Sequence, residues 1–238
     1  MKVFVILPIL KHQVYEEITL KELAQVASKD TEIHVESLEE GPASIESVYD
    51  EVIAAPSIVK LVRRAEDEGY DAVIIDCMGD PGLDAAREIA EIPVLGPCQA
   101  SIALASLLAS RFSIITVLKN VIPIFRDLAK KYGAADKVVS VRSIEVPVLD
   151  LEKKWNEVKA ALETQGRAAV EEEKAEAIIL GCTGMIGMAR DLQKALGVPV
   201  IDPAPAALMM AEALVRLNLS HSKLKYPPPP AKNRSATP

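Results

Sequence analysis

Two cysteines occupy matching positions in this sequence, and the residues around them are where chemistry is most readable. Asp71-Ala72-Val73-Ile74-Ile75-Asp76-Cys77-Met78-Gly79 resembles Glu176-Ala177-Ile178-Ile179-Leu180-Gly181-Cys182-Thr183-Gly184. Each cysteine follows an apolar run and precedes a loop rich in small residues, Met78-Gly79-Asp80-Pro81-Gly82 and Thr183-Gly184-Met185-Ile186-Gly187. Such loops let main-chain amides converge on a ligand, and a helix N-terminus beyond them favours negative charge. The same field predicts a lowered thiol pKa and some thiolate near neutral pH. Either cysteine alone could be a buried structural thiol. As a matched pair facing one cleft, they supply a base on one face of a carbon and an acid on the other. That is the requirement of a cofactor-independent racemase.

Other candidates are weaker. Neighbours in a strand point to opposite faces, so Asp76 is expected to turn away from a cleft that Cys77 faces. Cys98 aligns with Ala204 in the duplicated segment, which predicts core packing. Thr116 closes the apolar run Phe112–Val117, where its hydroxyl could reach the cleft; a plain β-branched strand residue fits the same position. Glu171-Glu172-Glu173-Lys174 reads as a solvated helix face. The chain lacks a G-x-S-x-G elbow, a phosphate loop of the G-x-x-x-x-G-K-[ST] type and a dinucleotide fingerprint after its first strand. His12, His34 and His221 lie far from any cysteine in sequence, so no local zinc motif exists.

The elements that would position the cysteines alternate between short apolar runs and amphipathic stretches, the pattern of β/α units around parallel sheets. Strands are predicted at Val3–Leu7, Ile33–Glu36, Ala72–Asp76 and Val94–Leu95, then at Phe112–Val117, Lys137–Val141, Ala177–Gly181 and Val198–Ile201. Helices are predicted at Tyr15–Ala27, Ile58–Glu68, Leu83–Ala90 and Ile102–Ala109, then at Val121–Tyr132, Glu152–Lys174, Gly187–Leu196 and Ala206–Leu217. The repeat extends past the cysteines, since Pro93-Val94-Leu95-Gly96-Pro97 matches Pro199-Val200-Ile201-Asp202-Pro203. Internal duplication follows. The fold expected is α/β, with two pseudo-symmetric lobes, each a mainly parallel sheet flanked by helices. The cleft would lie between their strand ends, where open α/β sheets bind ligands. The lobes are drawn at 1–97 and 98–203, with the helix within 204–219 returning to the first. Residues 220–238 form a tail whose Tyr226-Pro227-Pro228-Pro229-Pro230 favours an extended, solvated segment or a strap on a partner subunit.

Composition bounds the partners. The 238 residues are 50% apolar and 26% charged, ordinary for a globular chain. The formal net charge is −7, and residues 221–238 hold four basic side chains and no acid, so the body is more acidic still. That argues against nucleic acid or an anionic membrane as partner. No apolar run is long enough to span a bilayer, and the apolar stretch before Pro8 is too short for a signal-peptide core. Three cysteines in a chain of this length form no disulfide framework, so a reduced, cytoplasmic protein is expected.

With these residues in view, the chain resembles the hydantoin racemase family, within the aspartate/glutamate racemase superfamily. The resemblance rests on Gly41-Pro42-Ala43-Ser44-Ile45-Glu46-Ser47, Cys77-Met78-Gly79-Asp80-Pro81-Gly82-Leu83, Phe112-Ser113-Ile114-Ile115-Thr116, Leu180-Gly181-Cys182-Thr183-Gly184-Met185 and Pro199-Val200-Ile201-Asp202. It implies two α/β halves, no cofactor, a small-molecule substrate and Cys77 and Cys182 as the proton-transferring pair. It also suggests that Gly79, Thr116, Thr183 and Gly184 lie around the substrate; Pro8, Ile9, Met78 and Asp80 are expected beside them, and a homo-oligomer is expected. Family members usually follow the first strand with an Asn-Pro-Asn-Thr type loop, whereas this chain reads Leu7-Pro8-Ile9-Leu10, which shifts the expected substrate toward an apolar substituent. The rival readings are an acidic amino-acid racemase, a decarboxylase relative, and a small-molecule binding module with incidental thiols.

Overall fold

The computed structural model describes residues 1–233; positions 234–238 of the expected tail lie outside the described residues. Strands β1 (Lys2–Leu10), β2 (Glu32–Leu38), β3 (Ala72–Ile75) and β4 (Val94–Leu95) form one parallel sheet in the order β2-β1-β3-β4. Strands β5 (Phe112–Thr116), β6 (Val138–Ser143), β7 (Ala177–Leu180) and β8 (Val200–Ile201) form a second, in the order β6-β5-β7-β8. The two sheets share one topology, as the duplicated sequence requires. In each, the order reverses between the first and third strands, and the crevice outside that switch point is the general ligand site of open parallel sheets. Cys77 follows β3 and Cys182 follows β7, so both stand at that crevice.

Helices α1 (Gln13–Val26), α2 (Val48–Asp67), α3 (Leu83–Ile89) and α4 (Pro97–Leu108) follow the strands of the first half. Those of the second are α5 (Ile122–Lys131), α6 (Trp155–Glu171), α7 (Ala189–Leu196) and α8 (Pro203–Arg216). The last helix of each half crosses to the other. Cys98, Ile102 and Ala105 of α4 are buried with β5 and β7, whereas Ala204, Ala207, Leu208 and Ala211 of α8 are buried with Val3, Val5 and Ile74 of the first sheet. The cysteine loops repeat this exchange on a smaller scale. Met78, from the loop after β3, sits in the second lobe's core, and Ile186, from the loop after β7, sits in the first lobe's.

Several boundaries differ from expectation, and three of the differences are informative. β1 runs on through Pro8 to Leu10, because its pairing with β2 breaks between Leu7 and Leu10, where the missing proline N–H does no harm. α2 begins ten residues before the predicted Ile58 and contains Pro56. Its start is fixed by Ser47, whose Oγ accepts from the Asp50 N–H at 3.2 Å and donates to the Asp50 carboxylate at 2.7 Å. The third concerns the expected tail, whose first part is docked on the first lobe of its own chain. His221 Nε2 lies at hydrogen-bond distance from the main chain of Val94 on the edge strand β4. Lys223 Nζ donates to the carbonyls of Arg87 and Ala90, and the buried Arg87 donates to the Tyr226 hydroxyl at 3.1 Å. Among the described residues no helix is long and apolar enough to cross a membrane.

Candidate active site

The cleft consists of two adjoining recesses with shared walls, and both Cys77 and Cys182 line each of them. The larger, a cavity of about 100 Å³, is walled by Leu7, Pro8 and Ile9 of β1, Tyr15, Ile18 and Thr19 of α1, and Ile45, Val148 and Trp155. The smaller, of about 50 Å³, is walled by the cap residue Ser47 and Glu51 of α2, by Met78, Gly79, Thr116 and Gly181, and by Phe125 and its apolar neighbours. Together they suit a small molecule rather than a polymer. Segments of the two lobes are tied across the cleft. The Val148 N–H donates to Glu46 Oε1 at 2.7 Å, the Tyr15 hydroxyl donates to the Val148 carbonyl at 3.0 Å, and the Thr183 hydroxyl donates to the Asp76 carbonyl at 3.1 Å.

The two thiols have matching environments. The Gly79 N–H donates to Cys77 Sγ at 3.4 Å, and the Gly184 main chain plays the same part for Cys182. Burial nonetheless dominates: it pushes the Cys182 thiol up to about 12 and the Cys77 thiol well above its ordinary value. The expected lowering by helix N-termini is absent. α3 begins only at Leu83 and α7 only at Ala189, several residues beyond each cysteine, and the short helical turn Thr183–Met185 that Cys182 precedes does not offset its burial. Both thiols are therefore protonated near neutral pH.

Most of the residues singled out from sequence come together here. Pro8, Ile9, Thr183 and Gly184 line the larger recess, and Met78, Gly79, Thr116 and Thr183 line the smaller. Met78 is 2% exposed, with most of its side chain in the second lobe's core. The Thr116 hydroxyl is committed to the Gly181 carbonyl at 3.3 Å. Asp80 is the exception and is corrected: it lines neither recess. Its carboxylate accepts from the N–H groups of Cys98 and Gln99, both at 3.0 Å, and from the Tyr132 hydroxyl at 2.6 Å. It therefore caps α4 and ties the loop after β3 to the second lobe. Gly96 makes room for it, since a Cβ there would lie 2.5 Å from the Asp80 carboxyl carbon.

Several residues on the wall were not expected there from sequence, and three of them stand out. Asp76, expected to turn away, lines the larger recess; burial and nearby Asp202 raise its carboxyl to about 7. Glu51 lines the smaller one, and burial, with Asp80 and Asp50 nearby, raises it to about 7 as well. Trp155 closes the larger recess from the start of α6. The signal for Glu51 was the Ser47-x-x-Asp50 cap, which starts α2 early enough to bring its first turn beside Cys77. Among the described residues no group of three or more His, Cys, Asp or Glu is arranged to hold a metal ion.

Residues 13–211 match the family model described as Asp/Glu/Hydantoin racemase. The chain belongs to that family. It is 46% identical over 199 residues to the hydantoin racemase of Pseudomonas sp. (strain NS671), covering 84% of this chain and 80% of that one. Among solved structures, allantoin racemase from Klebsiella pneumoniae superposes with a TM-score of 0.94 at 37% identity, over 99% of this chain and 96% of that one. Allantoin racemase from Pseudomonas fluorescens gives 0.94 at 33% identity, over 98% and 99%. The present racemase is therefore an isomerase, and its two-lobed fold agrees with the architecture read from the repeat.

Proposed function

We propose that this racemase inverts a carbon acid without a cofactor, using Cys77 and Cys182 as its acid/base pair, and that its substrate is a 5-substituted hydantoin with an apolar side chain. The observation that carries this reading is that the pseudo-equivalent thiols both line both recesses of one cleft. The reacting carbon lies next to a ring carbonyl. A thiolate on one face takes its proton to give the enolate, and the thiol on the other face returns a proton to carbon. The turnover ends with the two cysteines in exchanged protonation states, ready for the opposite enantiomer. Since burial keeps both thiols protonated, one sulfur must lose its proton before abstraction begins.

The substituent preference rests on the larger recess. Leu7, Ile9, Ile18, Ile45 and Trp155 offer apolar surface to an alkyl or benzyl group, at roughly 0.8 kcal/mol per buried methylene. The ureido group of allantoin would have polar atoms against that wall, and leaving one unpaired costs about 1–3 kcal/mol. Free aspartate or glutamate would bring a second carboxylate toward Asp76 and Glu152 on the same wall. A homo-oligomer belongs to this reading, supported by the exposed stripe Val48, Tyr49, Val52 and Ile53 on α2. A cytoplasmic setting belongs to it too, in keeping with three unpaired cysteines.

The test is kcat/KM for 5-benzylhydantoin, allantoin, aspartate and glutamate, with α-proton exchange in heavy water followed by NMR. The benzyl compound is expected to lead, and Cys77→Ser and Cys182→Ser each to abolish racemisation while one enantiomer still exchanges its proton. Full racemisation by either variant would overturn the two-thiol mechanism. Faster turnover of allantoin or an acidic amino acid would overturn the substrate.

A further inference from the structure

The smaller recess contains one carboxyl, that of Glu51, and three hydroxyls, those of Ser47, Thr116 and Thr183. The hydroxyl protons are already used. Ser47 donates to the Asp50 carboxylate at 2.7 Å, Thr116 to the Gly181 carbonyl at 3.3 Å and Thr183 to the Asp76 carbonyl at 3.1 Å. Glu51 differs: its Oε1 is buried and has no hydrogen-bond partner. An orphaned buried oxygen is unusual in a folded protein, and at a cleft wall it marks where a ligand completes the bonding. The oxygen is also held close to the reacting centre. A Cβ on Gly79 would lie 2.1 Å from Glu51 Oε1, and the Gly79 N–H is the group that touches Cys77 Sγ.

In its ionised form the Glu51 carboxylate only accepts hydrogen bonds, and a donor placed against its unpartnered Oε1 would itself favour that form, so the complementary ligand atom is a donor. A ring carbonyl pointed at it would meet repulsion. With the substituent in the apolar recess and the reacting carbon between the sulfurs, the ring extends into the recess that Glu51 lines.

We propose that Glu51 recognises the substrate by accepting a hydrogen bond from a ring N–H, so that the cleft selects cyclic amides or ureides bearing a free N–H beside the reacting carbon or across the ring. This rests on the cyclic-substrate reading above and adds to it the group that orients the ring. It also gives each recess its own part in recognition, since one takes the substituent and the other the N–H edge.

N-methylation of the substrate removes the donor without touching the reacting C–H bond. The experiment measures kcat/KM for 5-benzylhydantoin and its N1-methyl and N3-methyl derivatives with the unmodified enzyme, Glu51→Met and Glu51→Gln. The unmodified enzyme is expected to prefer the parent over one of the two derivatives by about 10- to 100-fold, the range for a hydrogen bond to a charged group. Glu51→Met is expected to turn over the parent more slowly, chiefly through KM, and to lose that preference. Glu51→Gln keeps the side chain's shape and an acceptor oxygen without the charge, and its preference should fall between the two. An unchanged preference in Glu51→Met, or in Glu51→Gln if the methionine variant does not fold, overturns the assignment. An unmodified enzyme that racemises all three hydantoins alike overturns it alone. One that racemises none of them overturns the hydantoin reading as well.

Discussion

Replacing Gly79 by alanine perturbs the cleft while every cysteine and every acidic residue is retained. The added Cβ would stand 2.1 Å from Glu51 Oε1 and 3.0 Å from its carboxyl carbon, with no main-chain atom among the close neighbours. The Glu51 carboxyl must therefore retreat by about 1 Å, at a side-chain cost of roughly 0.5–1.5 kcal/mol. Gly79 is outside the left-handed region, so alanine adds no backbone strain and recovers about 0.4–1 kcal/mol through the unfolded chain. The two contributions nearly cancel, and the variant should fold with stability within about 1 kcal/mol of the parent. Its activity should not survive so well, because a displacement of about 1 Å in a positioning group can cost on the order of 100-fold. Gly181→Ala supplies the contrast. There the Cβ would lie 2.8 Å from the Ile115 carbonyl oxygen and 2.8 Å from Thr116 Cα, backbone that cannot yield, so about 1–3 kcal/mol of stability should be lost. Urea denaturation and polarimetric racemisation of 5-benzylhydantoin separate the two effects. Gly79→Ala with kcat/KM within a factor of about two of the parent would refute the steric link between this glycine, Glu51 and the substrate.

Two further outcomes follow from buried charge and from the docked tail. Asp76 and Asp202 are both raised to about 7, so in this respect folding is favoured while they are protonated and loses stability as pH rises from about 4 through 7, by about 2–4 kcal/mol per group at most. Asp76→Asn should shrink the fall in urea midpoint between pH 5.5 and pH 8, and an equal fall in both proteins would refute this. Removing residues 220–238 uncovers the β4 edge and leaves Arg87 without its Tyr226 partner, which should cost about 2–4 kcal/mol, whereas removing only 227–238 should cost far less. Equal urea midpoints for the two truncations would show that the docked segment contributes nothing.

Much of the fold was legible because the sequence states it twice. Val73-Ile74-Ile75 and Ile178-Ile179-Leu180 are apolar on both strand faces, as strands between helix layers must be, and the cysteines mark the same strand end in each copy. What stayed hidden is what is not local. An amphipathic pattern identifies a buried face but not the sheet it meets, so the exchange of α4 and α8 between lobes has no signature in either helix alone. Pro56 masked the first turns of α2, although the Ser47 cap was there to be read, and with those turns went Glu51. The capping role of Asp80 has no local signature, because its partners, Cys98, Gln99 and Tyr132, come from later elements and the space that admits it belongs to Gly96.

The thiols illustrate the same limit in energetic form. A glycine loop leading toward a helix suggests a field that stabilises thiolate, and each sulfur does receive one N–H from two residues on. Desolvation is a property of everything packed around the site, and here it outweighs that local contribution. The packing that desolvates the sulfurs also fixes them, because Met78 and Ile186 plug each cysteine loop into the opposite lobe's core. Moving one sulfur away from the other therefore requires withdrawing a buried side chain, which costs roughly 1.5–3 kcal/mol for Met or Ile. Under the two-thiol mechanism proposed above, that cross-anchoring would keep Cys77 and Cys182 at the same cleft throughout a turnover.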